Sequence, residues 1–386
     1  MLLPILIPIL RNTVFLRQRA NASNYTAIYI FAILDIFVIA FCAYWLFKQR
    51  ASVPWKRMWN GTVKCWFGYY LFALITVFWR IRGSSAPYIF YRAGSMLILS
   101  PFIYMIFMKF KSARSAFQGL LNYTLALTIL MFLGNVRLGS FHTNTYSVSA
   151  AVLVCLALTA YRNDLFSLKE MAPYICIGLL FLLLGTSSAS NVSFVCGLIF
   201  IYSFRNKRFH FTIFILLLLS LAAAYYFGKR IIFPIIFPYK SADTLFSLHG
   251  RQVLWEHYIN IWLRRPFRGW GFAVGERSGR LFGYIYALSA HNGYISILIN
   301  TGLLGMSFWL VLFKRLIKSL ILQIFFESPY AIVIASAFVV IAVNNNSVPI
   351  FGSNWGPLST VAFTLLSFWH IWCEKAPKGF YTQSNS

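Results

Sequence analysis

Apolar runs of roughly 15–20 residues, broken by short and mostly basic loops, recur along most of the chain. A bilayer core about 30 Å thick is crossed by a helix of roughly 20 apolar residues, and inside it every backbone amide must be satisfied within the segment. A chain written this way folds as helices that span a membrane. Composition supports the same reading. The 386 residues are 59% hydrophobic and 11% charged, against about 25% charged in soluble domains. That is too few polar residues to wet the outside of one large soluble core.

The pattern predicts spans at Thr26–Phe47, Cys65–Trp79, Pro87–Met108, Gly119–Asn135, Val148–Ala160, Ala172–Thr186, Val192–Phe204, Phe211–Phe227, Tyr294–Phe313, Pro329–Val343 and Pro357–Cys373. Met1–Leu10 is too short to cross alone and is read as a partial span or an interfacial helix. The fold class is therefore all-α, a polytopic bundle of 11–12 helices. The net charge of +26 does not point to nucleic acid. Much of it sits in short loops, such as Lys48–Lys64 with Lys48, Arg50, Lys56, Arg57 and Lys64, where the positive-inside rule places cytoplasmic charge. Asp35 is a rare acid at membrane depth, where a functional role and a buried packing role are about equally matched.

One segment breaks the rhythm. Residues 228–293 are neither apolar enough to span nor short enough for a turn, and by the loop charges they lie outside. They divide the chain into an N-terminal bundle (1–227), a large extracytoplasmic loop (228–293) and C-terminal helices with a cytoplasmic tail (294–386). Within the loop, Arg251, Trp255, Tyr258 and Trp262 recur at spacings of one helical face, so an amphipathic helix is expected there, stopped by Pro266. Its aromatic residues suit the headgroup layer, and Trp262 reads as an anchor in it. His291, at the mouth of the following span, is of a type that accepts protons near neutral pH; a capping or interfacial histidine is the plainer reading.

The eight carboxylates, Asp35, Asp164, Glu170, Asp243, Glu256, Glu276, Glu327 and Glu374, form no paired motif, so a carboxylate-held metal is not predicted. The six cysteines show no CxxC spacing, lie in or beside apolar spans, and read as small hydrophobes.

The pattern Gly250-Arg251-x3-Trp255, then Arg265-Pro266, Gly269-x-Gly271 and His291-Asn292-x-Tyr294, with Gly302 and Gly305 beyond, resembles the signature of the bacterial O-antigen polymerase and O-antigen ligase family. The layout of spans with one large late loop is similar too. The resemblance implies a GT-C-like, metal-independent, inverting glycosyltransferase without cofactor. It would work in lipopolysaccharide biosynthesis, in the bacterial inner membrane, with its site on the periplasmic face. The implied substrate is an undecaprenyl-diphosphate-linked oligosaccharide, with membrane lipids and a chain-length regulator as further partners and no nucleic acid. The family's loop arginine falls on Arg251 and its histidine on His291. Arg265, with Arg92, Arg137 or Arg80 from neighbouring outer ends, would share the diphosphate. Asn292, Tyr294 and Trp255 would contact sugar or acceptor. One turn departs from the family: Ser188-Ala189-Ser190-Asn191 has asparagine where the family often has arginine. Ser278-Gly279-Arg280 mimics the loop motif without the following tryptophan and is read as a decoy.

The chemistry of the residues agrees. A departing diphosphate develops negative charge, and without a carboxylate pair for Mg²⁺ the stabilising charge falls to arginines. Polymerase is the reading preferred. The ligase of the same family, moving finished chains to lipid A-core, is the alternative. A flippase or transporter is the reading from another class, and the scarcity of charged residues inside the spans counts against it.

Overall fold

A computed structural model describes residues 25–81, 84, 86–138, 143–185, 187–205, 208–209, 215–216, 219, 251–278, 289–325, 328–352 and 356–374. They are almost entirely helical: α1 (Tyr25–Lys48), α2 (Trp55–Met58), α3 (Val63–Ile75), α4 (Ala86–Met108), α5 (Ala113–Leu138), α6 (Thr143–Arg162), α7 (Leu168–Leu184), α8 (Ser188–Ser203), α9 (Arg251–Leu263), α10 (Gly293–Phe325), α11 (Pro329–Asn344) and α12 (Pro357–Phe368). A two-residue antiparallel pairing of Phe204–Arg205 with Arg208–Phe209 follows α8. Four segments are long and apolar enough to cross a bilayer unaided, Ala86–Met108, Ala113–Val136, Thr143–Arg162 and Gly293–Gln323, and shorter apolar helices accompany them. The chain is an all-α, multi-pass membrane protein. Met1–Leu10 lies outside the described residues, as does nearly all of Phe211–Phe227.

Helix α6 is the hub, packed between α5, α7, α8 and α11. Its Ser147–Ala160 run is wholly buried apart from Leu158. Small side chains let neighbouring backbones approach, and hydroxyls tie them together. Thr128 donates to Ser149 (2.8 Å), and Thr159 shares a hydrogen bond with Ser336 (3.1 Å). A second, aromatic nucleus joins α3, α10 and α12, where Trp66 lies 5.4 Å from Trp309 and 5.0 Å from Phe363.

Successive helices alternate in direction, so the bundle has two ends. At one, Arg114 pairs with Glu170 at 2.7 Å, Glu374 accepts from Thr62, and Arg315 donates to the carbonyl of Gly61. At the other, called here the loop end, Tyr146 donates to the carbonyl of Leu184, and the N–H of Gly293 donates to the carbonyl of Asn345. Two boundaries differ from the sequence reading. Helix α10 does not stop near Lys314 but runs to Phe325; hydropathy falls there, yet the helical backbone continues. And residues 188–191 are the first turn of α8 rather than a polar reversal, because Ser187 caps that helix by accepting from the N–H of Ser190 (3.3 Å).

The feature that places the loop is a break in α10. Gly302 sits at φ 66°, ψ −166°, inside an otherwise continuous helix. The break frees two carbonyls and two amides, and the loop fills all four positions. The N–H groups of Trp270 and Gly271 donate to the carbonyls of Ile299 (2.8 Å) and Asn300 (2.9 Å). The N–H groups of Leu303 and Leu304 donate to the carbonyls of Pro266 (2.8 Å) and Phe267 (3.0 Å). A Cβ on Gly302 would stand 2.3 Å from the carbonyl oxygen of Phe267, and one on Gly269 (φ 66°) would stand 2.7 Å from backbone atoms of Ile299, Asn300 and Gly302. The spaced glycines are thus where two backbones touch.

Candidate functional site

Helix α9 presents the face expected of it, but to protein rather than to a headgroup layer. Tyr258 and Ile261 are buried with Ile81, Trp270, Ala290, Ile295 and Ile299, and Leu254, Trp255 and Trp262 pack beside them. Tyr258 donates to the carbonyl of Glu276 (3.0 Å) and the Trp262 indole to that of Pro266 (3.0 Å), so Trp262 holds the loop's own turn instead of anchoring in lipid.

Arg251 opens this helix. Its Nη1 donates to Ser347 Oγ at 2.6 Å, on the segment that follows α11. Burial pulls the guanidinium below its usual pKa range, yet it stays charged at any physiological pH. One turn along, the Trp255 indole donates to the carbonyl of Ala290 (2.9 Å), the residue before His291. Arg251 and His291, far apart in sequence, are therefore brought into one neighbourhood. His291 is exposed and sits at φ 49°. That left-handed conformation is uncommon for a side chain of its size and turns the chain sharply into α10.

Asn292 is the N-cap of α10. Its Oδ1 accepts from the N–H groups of Tyr294 (3.0 Å) and Ile295 (3.2 Å). Tyr294 donates its hydroxyl to the carbonyl of Ala342 (3.0 Å). Of the three positions expected to contact sugar or acceptor, the structure thus gives Asn292, Tyr294 and Trp255 architectural hydrogen bonds that fix the His291 turn.

Glu276 holds that turn from beneath. Its half-buried carboxyl accepts from the N–H of Ala290 (2.9 Å) and lies 2.5 Å from Ser296 Oγ and 3.4 Å from Ser289 Oγ. Burial raises its pKa above the usual carboxylate range, partly offset by these hydrogen bonds. The neighbouring Arg277 stacks on the Tyr88 ring at 4.9 Å, and Arg92 lies over the same ring at 5.0 Å. The Arg92 Nε is buried without a hydrogen-bond partner. A path thus runs from Arg92 through Tyr88, Arg277 and the adjoining Glu276 to Ala290, the residue before His291.

Arg265 is placed differently. It donates to the carbonyl of Trp79 (3.2 Å) and stacks on Trp270 at 4.1 Å, across the packed α9 cluster from Arg251. Arg137 lies in the last turn of α5, at the loop end; its side chain is outside the described residues, as are those of His142, Arg280 and Asp35.

Ser347, Glu276, Arg277 and the end of α11 were not singled out by sequence reasoning. Asn344 Nδ2 donates to Ser193 (3.1 Å) and more loosely to Ser190 (3.4 Å), tying the departed family turn to the segment that holds Arg251. The run Asn344-Asn345-Asn346 was the available signal, since three carboxamides closing a membrane helix are costly unless used. Among the described residues no three His, Cys, Asp or Glu side chains come together as a metal site would require.

Residues 173–310, from α7 through the loop to the first half of α10, match a family model described as O-antigen ligase. No curated protein matches the chain.

Proposed function

We propose, from the match of residues 173–310 to the O-antigen ligase family model, that this chain is a polymerase of that kind, extending a polyprenyl-diphosphate-linked glycan at the extracytoplasmic face of the bacterial inner membrane. The match supports a glycosyltransferase-type activity in O-antigen synthesis, acting on lipid-linked sugars. The residue roles rest on the loop end. The acceptor hydroxyl attacks the anomeric carbon from the face opposite the diphosphate. The new C–O bond forms as the old one to the diphosphate breaks, and the configuration inverts. Negative charge passes to the leaving diphosphate, where Arg251 and Arg92, with Arg277, supply fixed positive charge. His291 takes or orients the proton leaving the acceptor hydroxyl.

The observation that carries this reading is the placing of a half-buried arginine on a rigid helix within one turn of the tryptophan that binds the residue before His291. A guanidinium held by one serine keeps its remaining donors for a phosphate. Purified protein given a prenyl-diphosphate glycan, without nucleotide or added metal, is expected to lengthen it. Arg251→Ala and His291→Ala should each slow growth about 100-fold or more while membrane insertion is unchanged. Wild-type rates in both variants, or growth only with added Mg²⁺ or Mn²⁺, would overturn the assignment.

A further inference from the structure

On the far side of the α9 cluster, away from Arg251, lies a groove of about 530 Å³ lined by Phe78, Trp79, Arg80, Ile81, Arg265, Arg268 and Trp270. Three of its seven lining residues are arginines and none is acidic. Their positions are built, not incidental. The Arg80 guanidinium is held by the carbonyls of Val77 (2.9 Å) and Ser84 (3.0 Å). Arg265 is clamped between the carbonyl of Trp79 and the face of Trp270. The Trp79 indole donates to the carbonyl of Arg268 (2.8 Å), fixing the backbone from which that exposed side chain projects. Each guanidinium has five donors, and these bonds use two of Arg80's and one of Arg265's. Burial and the charge of Arg268 both lower the proton affinity of Arg265, a repulsion that a bound anion would relieve.

The groove opens beside hydrocarbon. Leu71, Ile75 and Phe78 follow one another at helical spacing along α3 and its 3₁₀ extension, and they are 40%, 49% and 84% exposed. In a membrane protein such a stripe faces lipid tails. A cationic pocket at the head of a lipid-facing stripe fits an amphiphile with a phosphate headgroup.

We propose that the Arg80–Arg265–Arg268 groove binds the phosphate-bearing headgroup of a lipid, with its chain along Leu71–Phe78, as a second lipid site separate from the Arg251–His291 neighbourhood. This needs only the membrane setting, so it stands or falls apart from the catalytic reading.

Full-length protein in detergent would be titrated with geranylgeranyl diphosphate, phosphatidylglycerol and inorganic diphosphate, following bound lipid by native mass spectrometry. Arg268→Gln, an exposed change that leaves the local carbonyl clamps intact, should weaken one lipid site about tenfold. Adding Arg80→Gln should abolish that site. Arg251→Gln should leave it unchanged, and any site lost there reports on the catalytic reading alone. Whichever lipid shows the Arg268→Gln loss identifies the source of the phosphate. Equal affinity of wild type and Arg268→Gln for both lipids would overturn the proposal. So would inorganic diphosphate binding the groove as tightly as either lipid.

Discussion

Proton counting at Glu276 bears on its charge. Ser296 Oγ lies 2.5 Å from the Glu276 carboxyl and 2.8 Å from the carbonyl of Asn292, and one hydroxyl has one proton for two acceptors. Both contacts are satisfied if the carboxyl is protonated and donates to Ser296, which then donates to Asn292. Burial, which raises the pKa, acts in the same direction. Because the folded pKa lies above the unfolded one, the stability this group contributes is complete below the unfolded carboxylate pKa of about 4.3 and is lost as pH rises through the folded value. Glu276→Gln removes the titration. The melting temperature of the wild type is therefore expected to fall relative to Glu276→Gln as pH rises from acid to neutral; parallel profiles would mean the carboxyl titrates alike in the folded and unfolded chain. Sequence reasoning singled out Arg251 and His291 through the spacing they share with the family signature. It passed over Glu276 because an isolated acid in a loop has no pattern, and only folding surrounds it with Ala290 and Ser296.

At the scale of elements, the joint between loop and α10 is the sensitive point. Gly302→Ala would force a side chain into a left-handed backbone position against the carbonyl of Phe267, displacing the hydrogen bonds to Leu303 and Leu304. We expect a loss of at least about 2 kcal/mol, read as a lower unfolding temperature in detergent together with protease sensitivity between residues 264 and 272. Asn292→Ala removes a cap instead, at about 1 kcal/mol, and should lower activity only as far as the His291 turn loosens. A thermal shift as large as that of Gly302→Ala would show that Asn292 does more than cap. Among the described residues most helices were legible, since hydropathy marks them, although α10 runs well past its expected end. The face of α9 was legible too, but not what it packs against. A tryptophan and tyrosine stripe suits a headgroup layer and a protein groove equally well, and the choice was made by Tyr258 and Ile261 docking on Ile295 and Ile299. The break at Gly302 was visible only as a glycine, because which carbonyls it frees is a property of the partner segment.

For the whole molecule, the open distinction is between extending a chain and delivering it. Loss of a polymerase leaves single repeats on the final acceptor, whereas loss of a ligase leaves long chains on the prenyl carrier. We expect a deletion strain to show single repeats. Long carrier-bound chains would make this protein the ligase and leave the roles of Arg251 and His291 intact. The order of synthesis adds something that hydropathy alone does not contain. Residues 264–272 leave the ribosome before α10 exists, and only afterwards does α10 arrive with its gap at Gly302. The earlier segment is thus a template for the later one. An epitope tag or fusion inserted there would register as a misassembled transmembrane helix some thirty residues downstream, on the order of one helix length, with the surface where the tag was placed left outwardly intact.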